Sequence, residues 1–281
     1  MDWGSIIESL FRGLIGESFI VFALAAIGLN LHFGYTGLLN FGQAVFMAAG
    51  AYGLAMMVAT IGPAANRNFG WDLSESTLFW LGIFVGVVVF PVVFALIMGI
   101  PTLRLRADYL AIVTIAVAEI FRIVVRSPTP GIKKWTNSSD GLTGFSGTFY
   151  DMSPFGTQDR YLFNLFTGNQ MFLVIVGWVV LAIGATICWL LVRSPWGRVL
   201  KAIREDEDAA RSLGKNAYSY KMQALILGGV FGAVGGMIRA IGFSVAQPDN
   251  FITDVTFFVW VALILGGAGK VLAPIVGASL L

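Results

Sequence analysis

The reactive side chains of this 281-residue chain occur singly: it has one histidine, His32, and one cysteine, Cys188. With no second histidine or cysteine beside them, neither a metal centre nor a histidine-based catalytic triad has the groups it needs, and no disulfide can close within the chain. The tract Gly266-Gly267-Ala268-Gly269-Lys270 resembles the end of a phosphate loop. However, Ile264 stands where the first glycine belongs, and Val271 replaces the Ser or Thr that would hold magnesium. No cofactor is expected, and any nucleotide hydrolysis belongs to another chain. The remaining candidates are polar groups set in apolar sequence. Asn30, Asn40 and Gln43 flank the break Gly34-Tyr35-Thr36-Gly37, where a broken helix would present backbone amides and carbonyls to a polar solute. With Thr114 and Glu119 they make up the candidate solute path. Glu119 and Arg122, spaced i, i+3, neutralise each other, and Arg122 and Arg239 read as structural.

The elements that position these residues follow from composition. Hydrophobic residues make up 57% of the chain and charged residues 12%, too little charge to cover a soluble surface. The net charge of +2 forms no stripe that could track a nucleic acid. A span needs about 20 mostly apolar residues. The expected spans are Ile15–Phe33, Leu39–Ala59, Leu78–Ile100, Tyr109–Val125, Met171–Val192, Met222–Phe243 and Phe251–Leu265, with an eighth beginning at Val271. The fold class is therefore all-α, a polytopic transmembrane bundle with broken or re-entrant segments. Residues 1–281 are expected to form one transmembrane domain that lacks its natural C-terminal segment, because the run after Val271 is too short to cross. The N-terminal stretch has no basic region before its apolar residues and reads as an interfacial helix.

Orientation follows the basic residues. Seven of them, from Arg193 to Lys221, place that loop in the cytoplasm. Alternation then puts Arg126–Asn169 outside, with Pro101–Ala107 (carrying Arg104 and Arg106) and Lys270 inside. The outer segment reads either as a plain surface loop or as a docking surface and outer gate. In the cytoplasmic loop, Ser194 and Pro195 mark a helix start, Gly214 marks its end, and Trp196, Val199, Leu200, Ile203, Ala210 and Leu213 recur at helical spacing. Four consecutive acids, Glu205 to Asp208, suit a protein partner better than an anionic leaflet. Gly228, Gly232 and Gly236 share one helix face in a doubled GxxxG pattern that admits another helix at backbone distance.

Four stretches, in this order and spacing, carry a resemblance over almost the whole chain: ALAAIGLNLHFGYTGLLNFGQAVFMAAGAYG, LRLRADYLAIVTIAVAEIFR, SPWGRVLKAIREDEDAARSLG and LILGGAGKVLAPIVGA. They resemble the LivM-type permeases of ABC importers for branched-chain amino acids. The resemblance implies a multi-pass subunit of the bacterial inner membrane. It would pair with a related permease, two cytoplasmic ATPases and an extracytoplasmic solute-binding protein, and have no catalysis of its own. The cytoplasmic helix resembles the coupling segment of ABC permeases, EAA followed three residues later by Gly. Asp208-Ala209-Ala210 and Gly214 fit that spacing, with Asp for Glu and without the usual Leu-Pro ending. Arg204, Glu205, Asp206, Glu207, Asp208, Ala209, Ala210 and Gly214 are the coupling residues this implies. Related permeases carry urea or short-chain amides, which is the alternative solute class. A self-sufficient secondary transporter would need paired deep acids and internal symmetry, and neither is evident in the sequence. A membrane enzyme would need titratable residues clustered at one depth, and Glu119 stands alone.

Overall fold

The computed structural model describes residues 3–103, 107–157, 159–162 and 165–281. Arg104 and Arg106, expected on the inner side, lie outside the described residues. The helices run in the order α1 (Trp3–Ile15), α2 (Glu17–Leu29), α3 (Gln43–Met56), α4 (Gly62–Phe69), α5 (Glu75–Phe84), α6 (Phe90–Thr102), α7 (Ala107–Arg126), α8 (Pro130–Thr136), α9 (Gly147–Asp151), α10 (Gly168–Arg193), α11 (Pro195–Glu205), α12 (Glu207–Ser212), α13 (Ala217–Phe243), α14 (Thr253–Gly266) and α15 (Ala273–Ala278). The strands β1 (Leu142–Thr143), β2 (Arg160–Tyr161), β3 (Phe166–Thr167) and β4 (Val245–Ala246) form two small antiparallel pairs, β1 with β4 and β2 with β3.

Among the described residues, six stretches are long and apolar enough to cross a bilayer: Ser9–Tyr35, Gln43–Phe69, Glu75–Thr102, Gly168–Arg193, Ala217–Phe243 and Pro248–Gly266. The protein is a multi-pass helical bundle. π-helical turns at Asn30–Tyr35, Met57–Ile61 and Val85–Val89 continue α2, join α3 to α4 and join α5 to α6, so three of the crossings are helices with a wide turn inside them. The helix α7 is long enough to cross, at about 30 Å, but carries Glu119, Arg122 and Arg126 in its second half. After Val271 the chain turns and α15 packs on α14 so closely that a Cβ built on Gly277 would lie 1.8 Å from the Ala262 carbonyl oxygen.

The bundle is organised around α2 and α13. In the most apolar stretch of each, 72% of residues are buried, against 28% for Glu75–Thr102, which lies at the periphery. Peripheral helices expose apolar side chains such as Val179, Ile183 and Leu190 of α10, the surface expected of a helix solvated by lipid. A capping box, in which the Thr167 hydroxyl accepts from the Gln170 amide and the Gln170 side chain accepts from the Thr167 amide, starts α10.

The glycine face of α13 lies where α2 and α3 come closest. A Cβ on Gly228 would fall 2.4 Å from the Gly28 carbonyl oxygen, one on Gly232 would fall 2.5 Å from Gln43 Nε2, and one on Gly236 would fall 1.9 Å from the Met47 carbonyl oxygen. The opposing helices contribute their own small residues, since a Cβ on Gly50 would meet the Ala233 carbonyl oxygen at 1.9 Å. Removing side chains on both sides brings backbones into van der Waals contact.

The pairing of β1 with β4 gathers the segment after α7 and the segment after α13 at one end of the bundle. The long polar segment is built rather than loose. Tyr150 Oη donates to the Ile241 carbonyl at 3.0 Å, Ser146 Oγ lies 3.1 Å from Ser244 Oγ, and Thr60 Oγ1 reaches the Trp135 carbonyl at 3.4 Å.

Candidate functional site

The other end of the bundle holds the break, the connection between α10 and α13, and the turn between α14 and α15. From Asn30 to Tyr35 the helix widens into its π-helical turn. Gly37 to Gly42 then runs without helix before α3 begins. Gln43 lies against Gly228 and Gly232, whose positions on α13 are about 16 and 22 Å from its start at 1.5 Å per residue. The chain therefore returns through the bundle as non-helical backbone before α3 starts, near the middle of α13. Buried backbone of this kind must be satisfied by other protein groups. Thr114 Oγ1 accepts from the Phe41 amide at 3.0 Å, Asn40 Oδ1 from the Gly42 amide at 2.8 Å, and Thr256 Oγ1 from the Ala44 amide at 2.9 Å. Trp260 Nε1 donates to the Asn40 carbonyl at 3.0 Å.

His32 is the hub of this region. Asn40 Nδ2 donates to His32 Nδ1 at 3.0 Å, which leaves the ring proton on Nε2, 3.1 Å from the Leu225 carbonyl it then serves. Gln43 Nε2 donates to the Ala25 carbonyl at 3.2 Å and lies 3.4 Å from that of Gly228. Residues in α2, α3, α13 and α14 thus meet the broken segment through one polar network. The sequence showed His32 only as a lone histidine without the companions a metal centre or triad needs, and Thr256, a threonine in an apolar run, carried no pattern at all. Their importance lies in which backbone atoms they face.

Asn30, Asn40, Gln43 and Thr114, the candidate solute-path residues, are each fully buried with 0% exposure, and this chain's own groups occupy their polar atoms. Asn30 grips the turn between α14 and α15: its Oδ1 accepts from the Gly269 amide at 2.9 Å and its Nδ2 donates to the Lys270 carbonyl at 3.0 Å. Glu119 lies apart from them, further along α7 than Thr114. There Arg122 Nη2 meets it at 2.5 Å and Arg122 Nη1 reaches Asp249 at 3.3 Å, with Arg126 adding a contact to Asp249 at 3.4 Å. At their exposure these ion pairs contribute about 1 kcal/mol or less each. The i, i+3 spacing was readable from sequence, but Asp249 as the third member was not.

Alanine at position 30 leaves the Gly269 amide and the Lys270 carbonyl without partners. Gly269 is half-buried and Lys270 exposed, so water takes up part of the loss, and each of the two hydrogen bonds contributes about 0.5–1.5 kcal/mol. The Asn30→Ala variant is therefore expected to melt several degrees lower in detergent and to be cut faster by trypsin after Lys270. A wild-type melting point with unchanged cleavage at Lys270 would show that the turn is held by other means.

The connection between α10 and α13 departs from the single helix expected. Asp206 adopts an extended conformation (φ −154°, ψ 105°) and splits it into α11 and α12. The cause is local, because Asp206 Oδ1 caps α12 by accepting from the Ala209 amide at 2.9 Å. Glu207 and Asp208 then fall in the first turn of α12, where the helix dipole favours acids. Ser194 precedes α11 but does not cap it. Its hydroxyl donates back to the Leu191 carbonyl at 2.6 Å.

Ala210 packs with Ile203 and Ala217 at 3% exposure, whereas Leu213, expected on the same apolar face, is 80% exposed. Ile203 of α11 and Ala210 of α12 thus face one cluster across the split, while Leu213, just past the end of α12, points outward. Gly214 ends the segment at φ +77°, in the left-handed region. Glu207 is held by Arg211 at 2.6 Å and by Lys221, which fixes α12 onto the start of α13. Glu205, Asp208 and Ala209 are exposed. From α11, the Arg204 guanidinium donates to the Gly34 carbonyl in the π-helical turn, and a Cβ on Gly37 would lie 3.5 Å from Arg204 Cγ. The connecting segment and the broken span are thus tied together by Arg204, with Lys201 Nζ over the Tyr35 ring at 5.7 Å beside it.

The family model for "Branched-chain amino acid transport system / permease component" matches residues 14–281, which includes the break, α11, α12 and the α14–α15 turn. The chain belongs to that family. It is 31% identical over 93% of its length to the high-affinity branched-chain amino acid transport system permease protein LivM of Salmonella typhimurium, and 30% identical over the same share to that of Escherichia coli. A probable LivM of Methanocaldococcus jannaschii is 24% identical over 90% of this chain and 74% of its own. The chain spans 60% of the length of the Salmonella and Escherichia relatives. No solved structure matches.

Proposed function

We propose that this chain is a permease subunit of an ATP-binding-cassette importer in a bacterial inner membrane, moving branched-chain amino acids with ATP hydrolysed by separate subunits. A related permease, two cytoplasmic ATPases and an extracytoplasmic solute-binding protein complete the complex. The observation that carries the reading is the Arg204 hydrogen bond to Gly34. It joins an exposed segment, shaped to be gripped from outside the bundle, to the stretch where the chain entering α3 loses its helix. A push on α11 and α12 reaches the Gly34 backbone directly. From there it reaches the His32–Asn40–Gln43 network and the Asn30 grip on the Gly269–Lys270 turn.

The solute assignment rests on the family description and the printed names of the relatives. The test is uptake of radiolabelled leucine, isoleucine and valine by the reconstituted complex, with urea and acetamide run alongside. Saturable uptake of urea or acetamide and none of the three amino acids would move the chain to the alternative solute class.

The orientation is inward for Arg193–Lys221 and outward for Arg126–Asn169. It is tested by single cysteines at exposed positions, Ser212→Cys and Ser139→Cys, in a Cys188→Ala background. The native thiol is fully buried and Ser138 is only 8% exposed, so Ser139 is the reporting position. Impermeant maleimide added to intact cells should label position 139 and spare position 212. The reverse pattern would invert the topology.

A further inference from the structure

At the end of the bundle that carries α11, a cavity of about 600 Å³ opens between the end of α10, the start of α11 and the α14–α15 turn. Four cations line it: Arg193, Arg198, Lys201 and Lys270. No acidic residue lines it, and among the described residues none of the four pairs with a carboxylate. The carboxylates of Glu207 and Asp208 are instead turned to Arg211 and Lys221. Arg193 lies flat over the Trp189 ring at 4.0 Å, which fixes the guanidinium at the rim. The rest of the wall is apolar. Its Trp189, Leu272 and Val276 side chains are 41%, 66% and 59% exposed, on the flank where α10 and α14 show their other apolar side chains to the outside.

We propose that this cavity binds one anionic phospholipid, with its phosphate among the four cations and its acyl chains along Trp189, Leu272 and Val276. Four like charges brought together without counter-charge repel one another, and a phosphate at the headgroup layer relieves that repulsion. A free phosphate would meet the cations but leave the wall uncovered, and the wall is what commits the site to a lipid. Trp189 beside Arg193 is the pairing expected at the depth where hydrocarbon gives way to headgroups. A lipid held here touches α10, α11 and the turn gripped by Asn30, so it would brace the segments that the proposed function requires to move together. The inference does not depend on the solute, nor on which leaflet this end faces.

The test titrates the full chain, purified in detergent, with phosphatidylglycerol or phosphatidylcholine brominated on the acyl chains, reading tryptophan quenching. Phosphatidylglycerol should quench at much lower concentration than phosphatidylcholine, and Trp189→Phe should remove that increment. Each basic residue near a lipid surface contributes about 1 kcal/mol. Lys201→Gln with Lys270→Gln should therefore weaken the phosphatidylglycerol titration about 30-fold, the change that about 2 kcal/mol produces at 1.4 kcal/mol per tenfold. Arg160→Gln with Lys215→Gln removes as much charge elsewhere and should change nothing. Identical titrations for the parent and the Lys201/Lys270 variant would overturn the proposal. So would complete displacement by millimolar inorganic phosphate, which would mark a small-anion site, or loss of lipid binding whenever partner subunits are present, which would mark a protein-covered surface.

Discussion

Gly236→Leu is expected to leave almost no folded protein in the membrane fraction, the largest stability loss of any single substitution on the glycine face. The neighbour of Gly236 is backbone. The first added carbon would sit 1.9 Å from the Met47 carbonyl oxygen and 2.4 Å from its carbonyl carbon, and neither can move without shifting α3. Overpacking a well-filled contact costs about 1–3 kcal/mol even when side chains can adjust. Here α13 and α3 must separate, and every contact along them weakens together. The effect should be graded by what each glycine meets. Gly232→Ala meets first the end of the buried Gln43 side chain at 2.5 Å, which can shift at the expense of its hydrogen bonds where backbone cannot, so it should lower the melting point less than Gly236→Ala. Gly13→Ala meets nothing within 4 Å and, in the interior of α1, should be neutral or stabilising by up to about 1 kcal/mol. Membrane-fraction yield and thermal melting in detergent give the order. If Gly236→Ala melted at or above the parent, α13 and α3 would not be packed as described.

That glycine face was legible from spacing alone, because small residues at i, i+4 and i+8 have one strong physical use in a bilayer. The spans were legible for a similar reason: the bilayer imposes length and apolarity on each of them separately, so each can be read without its neighbours. The sequence signals failed where the outcome depends on a partner far along the chain. The break at Gly34–Gly37 could be read from its glycines. That the chain returns through the bundle without helix could not, because it depends on Thr114, Thr256 and Trp260 supplying hydrogen bonds from distant helices. Asp206 reads equally as one more acid on a charged face or as a helix cap, and only the fold shows that it divides α11 from α12. Asn30, Asn40 and Gln43 stand out in the sequence as polar groups in apolar surroundings, but what they face was beyond reach. Three such residues can line a solute path or satisfy buried backbone, and composition does not distinguish the two.

Arg204→Ala is expected to cut solute uptake more than tenfold while leaving ATP hydrolysis by the assembled complex near the parental rate. A guanidinium hydrogen bond to a carbonyl contributes about 1.5–3 kcal/mol. That is small against the stability of a bundle whose core lies elsewhere, but it is the direct tie between α11 and the Gly34 turn. Removing it should let α11 and α12 move with the ATPase while the broken span stays behind. Two other substitutions should fail differently. Ala210→Glu places a charge where only 3% of the side chain is exposed, against Ile203 and Ala217. It should disorder α12 and release the ATPase subunits, abolishing uptake and hydrolysis together. Gly214→Val forces a β-branched residue to φ +77°, a conformation that costs about 1–2 kcal/mol for residues with a Cβ. It has no steric neighbour to blame, so its loss of uptake would be a backbone effect confined to the end of the segment. Lys215→Gln, exposed and one residue further on, should transport normally. Reconstitution of each variant, with uptake, hydrolysis and retention of the ATPase on the purified permease measured on the same preparation, separates the cases. If Arg204→Ala lowered uptake and hydrolysis in equal proportion, Arg204 would be holding the fold rather than carrying motion, and the path from α11 to Gly34 would have to be abandoned.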